Sequence, residues 1–404
     1  MISTPWKAHL KVPSPALVVA ILLVGSAFIG ITAPADATDR TARDRELTKS
    51  ISSTVREASI PGAIVGVWKK GKRPYVRAFG VRNTATKRRM NRSLHMRIGS
   101  VTKTFTVTAL LQLVGQGKVA LDDPIGKYVP GIVNGDTITL RELASMTSGI
   151  EGYTQSPTFY DVFIDDPHRA WTPQELVSAV AGAPALYPPG EGYNYSNTNA
   201  VLIGLVVEQV SGQSLPRYVK QHLLKPLGMK DTTFPTDAAF PSPHAQGYTD
   251  KTPSGKLANA TDWNPSWGWA AGAMISTARD MRIWTKHLIR GKRLLPPGVQ
   301  RERLASVKTT RATLAAYGLG LFNRDGWIGH NGTLPGYQTL AVRRPATKTT
   351  VVVLANTDVA YKGQDTSTVI GQAITSVLTP NHVLLACGET PASCTRYRRP
   401  PRRG

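Results

Sequence analysis

Strand-like runs lie at the two ends of this chain, with a helix-rich middle between them. Near the start, "AIVGVWKKGKRPYVRAFGV" reads as a hairpin: an apolar strand over 63–68, a basic turn, and a second strand over 75–81. From Tyr317 onward the strand period returns. "YGLGLF", "GWIGH", "YQTLAVRR" and "TTVVVLANT" are four short runs parted by Gly, Asn or Pro. This arrangement implies one sheet assembled from distant segments, not separate domains in series. With 404 residues, the chain is long enough to cover such a sheet with a large core.

The middle supplies the helices. Residues 38–59 are charged and helix-compatible, ending before Pro61-Gly62. The clearest helix spans 102–117, where Phe105, Ala109, Leu110, Leu113 and Val114 recur at three- and four-residue spacing and Gly115 and Gly117 mark the end. Thr139 with Glu142, and Thr172 with Pro173 and Glu175, carry the reciprocal pattern of a capped helix start. A third strong helix covers 199–210, bounded by Ser211-Gly212, and another covers 274–290. Residues 231–262 are polar and turn-rich, and a last helix runs from after Gly363 to about Leu378. There is no internal repeat.

The formal charge is +23, but the basic residues are dispersed. Their densest groups are Lys69-Lys70-Gly71-Lys72-Arg73, Lys87-Arg88-Arg89 with Arg92, and the Arg residues between Arg396 and Arg403. No zinc-finger spacing or basic helix accompanies them, so nucleic acid is not an expected partner. The charge reads as solvated surface, or as peripheral attraction to an anionic cell envelope. Gly66…Gly71-Lys72 has the spacing of a phosphate-binding loop. However, Arg73 stands where Ser or Thr should hold magnesium, and the local pattern is strand–turn–strand rather than strand–loop–helix.

Residues 1–37 look like a targeting segment: Lys7, His9 and Lys11, an apolar run over 16–32, then Ala35-Asp36-Ala37 as a small-x-small cleavage site. Uncleaved, the run could anchor the chain in a membrane. Secretion or an envelope location is expected. In such an oxidising compartment Cys387 and Cys394 could close a small disulfide loop in a basic tail over 381–404. The catalytic domain is then expected over 38–380. Neither metal-ligand spacing nor a Gly-x-Ser-x-Gly elbow occurs, so no metal or cofactor is expected and an α/β-hydrolase is disfavoured.

Three short constellations carry the chemistry. In "RIGSVTKTFT", Ser100 and Lys103 are three residues apart at a helix start. They share a face, so the amine can reach the hydroxyl, provided desolvation or nearby charge lowers its pKa. On its own this spacing is common and reads equally as a cap plus a surface lysine. In "PPGEGYNYSNTNAVLIG", Tyr195, Ser196 and Asn197 occupy a Gly-rich junction before a helix. A phenol there can relay a proton and an amide can hold a substrate carbonyl, although Ser196 and Asn197 are also ordinary capping residues. In "GWIGHNGTLPGYQT", His330-Asn331-Gly332-Thr333 lies on a short strand, where Gly332 lets another backbone approach closely.

Together with "LASMTSGI" and "WAAGAMISTARDM", these motifs resemble the serine beta-lactamase and penicillin-binding-protein superfamily. The resemblance runs from about Pro61 to Asn356, on the branch of class C beta-lactamases and secreted D-Ala-D-Ala carboxypeptidases. It implies an α+β fold of beta-lactamase/transpeptidase type: an antiparallel sheet flanked by helices, with a mainly helical inserted region. By position, Ser100 resembles the acylated nucleophile, Lys103 its proton acceptor and Tyr195 the proton shuttle. Asn197 resembles the donor to the substrate amide. His330 matches a position held by Lys or His. Thr333 resembles the backbone donor that completes an oxyanion hole with Ser100. Trp269 aligns with an aromatic lining the cleft. Asn331 departs from the pattern, because Thr or Ser usually stands between His and Gly. No carboxylate-binding arginine is assigned; Arg311 and Arg324 are the nearest in sequence.

The implied activity is acyl-enzyme hydrolysis by a monomer acting on a peptidoglycan-derived peptide, a small acyl ester or a beta-lactam. D-alanyl-D-alanine carboxypeptidase action is preferred among these. Esterase or amidase, class C-like beta-lactamase and a non-catalytic binding protein are the alternatives.

Overall fold

The structure, a computed structural model, describes residues 35–310 and 314–386. The N-terminal apolar run, Arg311, Cys387 and Cys394 lie outside them. Two compact units are distinguished, Met1–Ala42 and Arg43–Gly404. Of the first, the described part is the opening of helix α1 (Ala35–Glu57).

The centre of the second unit is a seven-stranded sheet. The strands are β1 (Gly62–Lys69), β2 (Tyr75–Gly80), β3 (Ala315–Gly318), β4 (Leu321–Arg324), β5 (Trp327–Leu334), β6 (Tyr337–Arg344) and β7 (Thr349–Ala355). The spatial order is β2-β1-β7-β6-β5-β4-β3, and every neighbour is antiparallel. The N-terminal hairpin and the C-terminal meander therefore meet at β1 and β7, with Ala63 opposite Ala355 and Lys69 opposite Thr349. The fold is the α+β arrangement expected from strands at both ends of the chain.

Both faces of the sheet are covered, which explains why β7 reads "TTVVVLA" instead of alternating. Val351, Val353 and Ala355 pack with Leu47, Ile51 and Val55 of α1 and with Ile370 and Ile374 of the C-terminal helix. Val352 and Leu354 face the opposite way, into a larger core shared with the helical middle. That middle includes α2 (Thr102–Gly115), α3 (Leu140–Ser145), α4 (Asn197–Ser211) and α5 (Ala278–Arg290). The C-terminal helix is α6 (Thr366–Leu378). Both sequence-read capping boxes form, at Thr139/Glu142 and Thr172/Glu175.

Two boundaries and the character of one helix differ from the sequence reading. Helix α5 begins at Ala278, because Ile275 and Ser276 instead form a short strand pairing with Met96 and Arg97. Helix α4 begins at Asn197, two residues early, with Ser196 at its N-cap making no side-chain cap. Helix α2 is not amphipathic. Thr102, Thr104, Thr106 and Thr108 are as buried as Phe105 and Leu110, so the helix runs through the core with apolar and polar sides alike enclosed.

Candidate active site

The buried threonines of α2 are each hydrogen-bonded, as enclosed polar groups must be. Thr104 Oγ1 accepts from Trp284 Nε1 at 2.7 Å, and Thr108 Oγ1 accepts from Arg303 at 2.8 Å. Two of the contacts clamp the 269–274 segment onto the helix. Thr106 Oγ1 donates to the Ala270 carbonyl at 2.7 Å, and Met274 N–H donates to Thr102 Oγ1 at 3.2 Å. Between these clamps the Ala271 carbonyl is turned toward Lys103, which donates to it at 2.8 Å.

Lys103 Nζ also lies 3.0 Å from Ser100 Oγ. Ser100 occupies a single 3₁₀ turn, Gly99–Val101, at the start of α2, and Lys103 one helical turn later is fully buried. Among the described residues no carboxylate pairs with the amine. Burial therefore pushes its pKa well below the ordinary lysine value, favouring the neutral form. Tyr195 sits on the other side of the pair, its ring centroid 4.9 Å from Lys103 Nζ. Burial raises the phenol well above its usual pKa, with the Ser100 hydroxyl acting in the opposite direction, so it stays protonated.

Strand β5 runs directly alongside the Ser100 turn. A Cβ placed on Gly332 would come 2.1 Å from the Ile98 carbonyl and 2.8 Å from the Ser100 nitrogen. A Cβ on Gly99, whose φ is +51°, would come 2.7 Å from the Thr333 nitrogen. Only glycine at both positions lets the two backbones approach this closely. Gly332→Ala should therefore push β5 off the nucleophile turn. The expected result is a kcat lower by on the order of 10²–10³-fold and a stability loss of about 1–3 kcal/mol, read by steady-state kinetics and thermal melting. Near-parental kcat in that variant would refute the pairing of these two N–H groups.

His330 is buried and neutral. Its Nδ1 faces the Asn331 carbonyl, which can only accept, so Nδ1 carries the proton and Nε2 accepts from the Tyr317 hydroxyl at 3.0 Å. Burial above all, with Arg324 adding to it, pushes its pKa down to about 3. It thus supplies no positive charge, unlike a lysine at that position. Asn331 and Thr333 point the other way along the strand, toward Asp365 at the N-terminus of α6. Asn331 Nδ2 donates to one carboxylate oxygen at 2.8 Å, while Thr333 Oγ1 at 3.2 Å and Gln338 Nε2 at 3.0 Å donate to the other.

Asn197 donates to Thr154 Oγ1 at 3.0 Å, and Ser196 donates to the Glu151 carbonyl at 3.2 Å, so neither uses its side chain as a cap. Most of the Trp269 ring is in the core: a Cβ on Gly204 of α4 would come 2.8 Å from it, and the residue is 9% exposed. Arg324 stacks over Phe322 at 4.3 Å and forms no ion pair among the described residues. Burial lowers its pKa to about 10, against the pull of Asp365. The structure thus brings together Ser100, Lys103, Tyr195, His330, Gly332 and Thr333. It adds Ala271, Tyr317 and Asp365, for which the sequence carries no signal beyond Asp365 preceding a helix.

A serine hydroxyl 3.0 Å from a desolvated lysine amine, on a helix start beside a glycine-opened strand, is an arrangement that can activate a hydroxyl without a histidine base. The chain belongs to the Beta-lactamase family, whose model matches residues 47–373. Its sequence is 29% identical over 331 residues to Protein flp of Staphylococcus aureus (strain MW2), covering 78% of this chain. The chain spans 64% of the length of that curated relative. Among solved structures it resembles a D-stereospecific amidohydrolase from Streptomyces sp., at 32% identity and TM-score 0.71, covering 78% of this chain and 94% of the other. It also resembles the D-amino acid amidase of Ochrobactrum anthropi SV3, at 26% identity and TM-score 0.73, covering 83% and 97%.

Proposed function

We propose that this chain is an extracytoplasmic serine hydrolase that cleaves amide bonds beside D-configured residues, with the D-alanyl-D-alanine ends of peptidoglycan stem peptides as preferred substrate. The carrying observation is the Ser100–Lys103 contact, 3.0 Å long and with the amine fully buried. In this reading Ser100 Oγ attacks the carbonyl carbon and its proton passes to the neutral Lys103 amine. The resulting oxyanion is held by the Ser100 and Thr333 N–H groups, an interaction worth roughly 3–4 kcal/mol per donor. Tyr195, kept as a phenol, hands a proton to the departing amine as it takes one from Lys103. Water then attacks the acyl-serine, gives its proton back through the same groups, and frees Ser100. Asn197 donates to the substrate amide.

Arg324, cationic and unpaired among the described residues, is the group suited to a substrate's terminal carboxylate; Arg311 lies outside them. Asp365, by fixing Asn331 and Thr333, keeps β5 in register with the nucleophile and acts as a positioning residue. The proposal includes a catalytic domain over 38–380, a leader over 1–37, and a Cys387–Cys394 disulfide in the tail. Among the described residues no helix is long and apolar enough to cross a membrane.

A second reading, amidase action on D-amino acid amides that lack a terminal carboxylate, is supported by the names of the two similar structures. One comparison separates them: kcat/KM for an acyl-D-Ala-D-Ala peptide, the same peptide with a C-terminal amide, a short-chain acyl ester and a chromogenic cephalosporin. The carboxylate peptide should be turned over fastest, and Arg324→Ala should erase its advantage over the amide, roughly tenfold for one lost charged contact. Faster turnover of the amide in the parent enzyme, unchanged by Arg324→Ala, would replace the first reading with the second.

A further inference from the structure

The lysine-rich turn that imitates a phosphate loop in the sequence has no part in the chemistry above, yet the fold gives it company. The tip of the β1–β2 hairpin closes one side of a pocket of about 580 Å³. Helix α5 forms another wall, presenting Arg282, Lys286 and Arg290. Arg343 and Thr350 form the floor, with Arg343 donating to Thr350 Oγ1 at 2.8 Å, and Lys348 stands on the β6–β7 turn.

Among the described residues no acidic side chain lines this pocket. Arg282, Lys286, Arg290, Arg343 and Lys348 make no ion pair among the described residues, whereas the exposed Arg279 on the same helix pairs with Asp231. The three cations of α5 are spaced i, i+4, i+8, so each repels the next and opposes the helix that carries them. Burial and this mutual repulsion lower the pKa of Lys286, and burial with Arg290 does the same for Arg343. The fold thus holds a row of uncompensated positive charge in a concave site.

We propose that this pocket binds the phosphates of a polyanionic polyol-phosphate chain, away from the hydrolytic site. Arg guanidinium groups match phosphate oxygens in pairs. The cations of α5 recur every roughly 6 Å along the helix axis, suiting a chain with one charge per monomer. Nucleic acid fits less well, because it calls for aromatic platforms on which bases stack. The one aromatic here, Trp68, lies flat against Gly66, where a Cβ would come 2.0 Å from its ring, and Arg282 sits over it at 5.5 Å. The pocket is also remote from Ser100. Arg343 stands four residues along β6 from Thr339, which faces Gly332, a separation of roughly 13 Å. Occupancy would hold the enzyme on a polyanion while leaving the cleft open.

The test is titration of the full chain with a short synthetic glycerol-phosphate oligomer, followed by fluorescence anisotropy at several salt concentrations. Saturable binding that weakens linearly in log–log form with salt is expected. Arg282→Gln with Arg290→Gln should weaken it roughly tenfold and flatten the salt slope by about two charges, with a thermal midpoint no lower than the parent's, since the repulsion along α5 is relieved. Arg88→Gln with Arg89→Gln, an equal charge change at exposed positions outside the pocket, should leave binding near parental. Absent saturation, or equal loss in both variants, would overturn the site. Binding to phosphatidylglycerol vesicles but not to the free oligomer would overturn the polymer in favour of a lipid surface. A single-stranded DNA oligonucleotide that competes on equal terms would overturn the polyol-phosphate assignment.

Discussion

Replacing Ser100 with alanine is expected to lower kcat on any accepted acyl substrate by on the order of 10⁴–10⁶-fold and to abolish covalent labelling by a fluorophosphonate or a penicillin. The reasoning is local. Ser100 Oγ is the hydroxyl that meets the buried amine of Lys103 at 3.0 Å, and it stands on the turn that β5 approaches through Gly99 and Gly332. Removing the oxygen leaves that turn and the lysine intact but takes away the atom that must bond to the substrate. Residual binding and oxyanion stabilisation then supply only what they give a water molecule. The fold should hardly register the change. Lys103 keeps its 2.8 Å contact with Ala271, so stability should move by about 1 kcal/mol or less. Intact-protein mass spectrometry decides the matter: one adduct on the parent and none on the variant. An adduct that survives in Ser100→Ala would move the nucleophile elsewhere.

What could be read in the sequence was whatever short-range chemistry dictates. The capping boxes at Thr139 and Thr172 are completed within four residues, and both form. The doubly covered strand β7 announces itself as an uninterrupted apolar run, and the glycine at position 332 marks a backbone contact that only glycine permits. The sequence is silent where the partner comes from far along the chain. Tyr317 reaches His330 because β3, β4 and β5 are neighbours in the sheet. Asp365 reaches Asn331 only because α6 starts beside the end of β5, thirty-four residues away in the chain. The charge state of His330 is likewise set by burial, which no local pattern reports. Trp269, which aligns with a cleft aromatic, is 9% exposed and has ring atoms against Gly204 of α4, a packing that no local pattern reports. The threonines of α2 are another case where the sequence is silent, because their partners Ala270, Trp284 and Arg303 lie far along the chain.

Lys103→Met should separate function from stability in opposite directions. Activity should fall by on the order of 10²–10⁴-fold, the usual worth of a positioned general base. Stability should rise. The amine is fully buried without a carboxylate, and its folded pKa is held well below the unfolded value of about 10.4. At pH values between those two, the unfolded chain binds a proton that the folded chain does not, so the wild-type protein loses stability as pH falls through that window. Below the folded pKa the loss is complete and constant. Methionine has no such proton, and its thioether fills similar space without desolvating a charge. The Ala271 carbonyl loses its donor, a cost of about 1 kcal/mol or somewhat more, leaving a net gain of roughly 1–2 kcal/mol near neutral pH. Thermal melts of both proteins at pH 7 and pH 9.5 read this directly, and the advantage of the variant should be larger at pH 7. In the parent, kcat/KM should climb with pH as Lys103 loses its proton, because the base must be neutral to accept the proton of Ser100. A variant less stable than the parent by the same margin at both pH values would mean that Lys103 is not held neutral in the fold, and the base would have to be sought at Tyr195 instead.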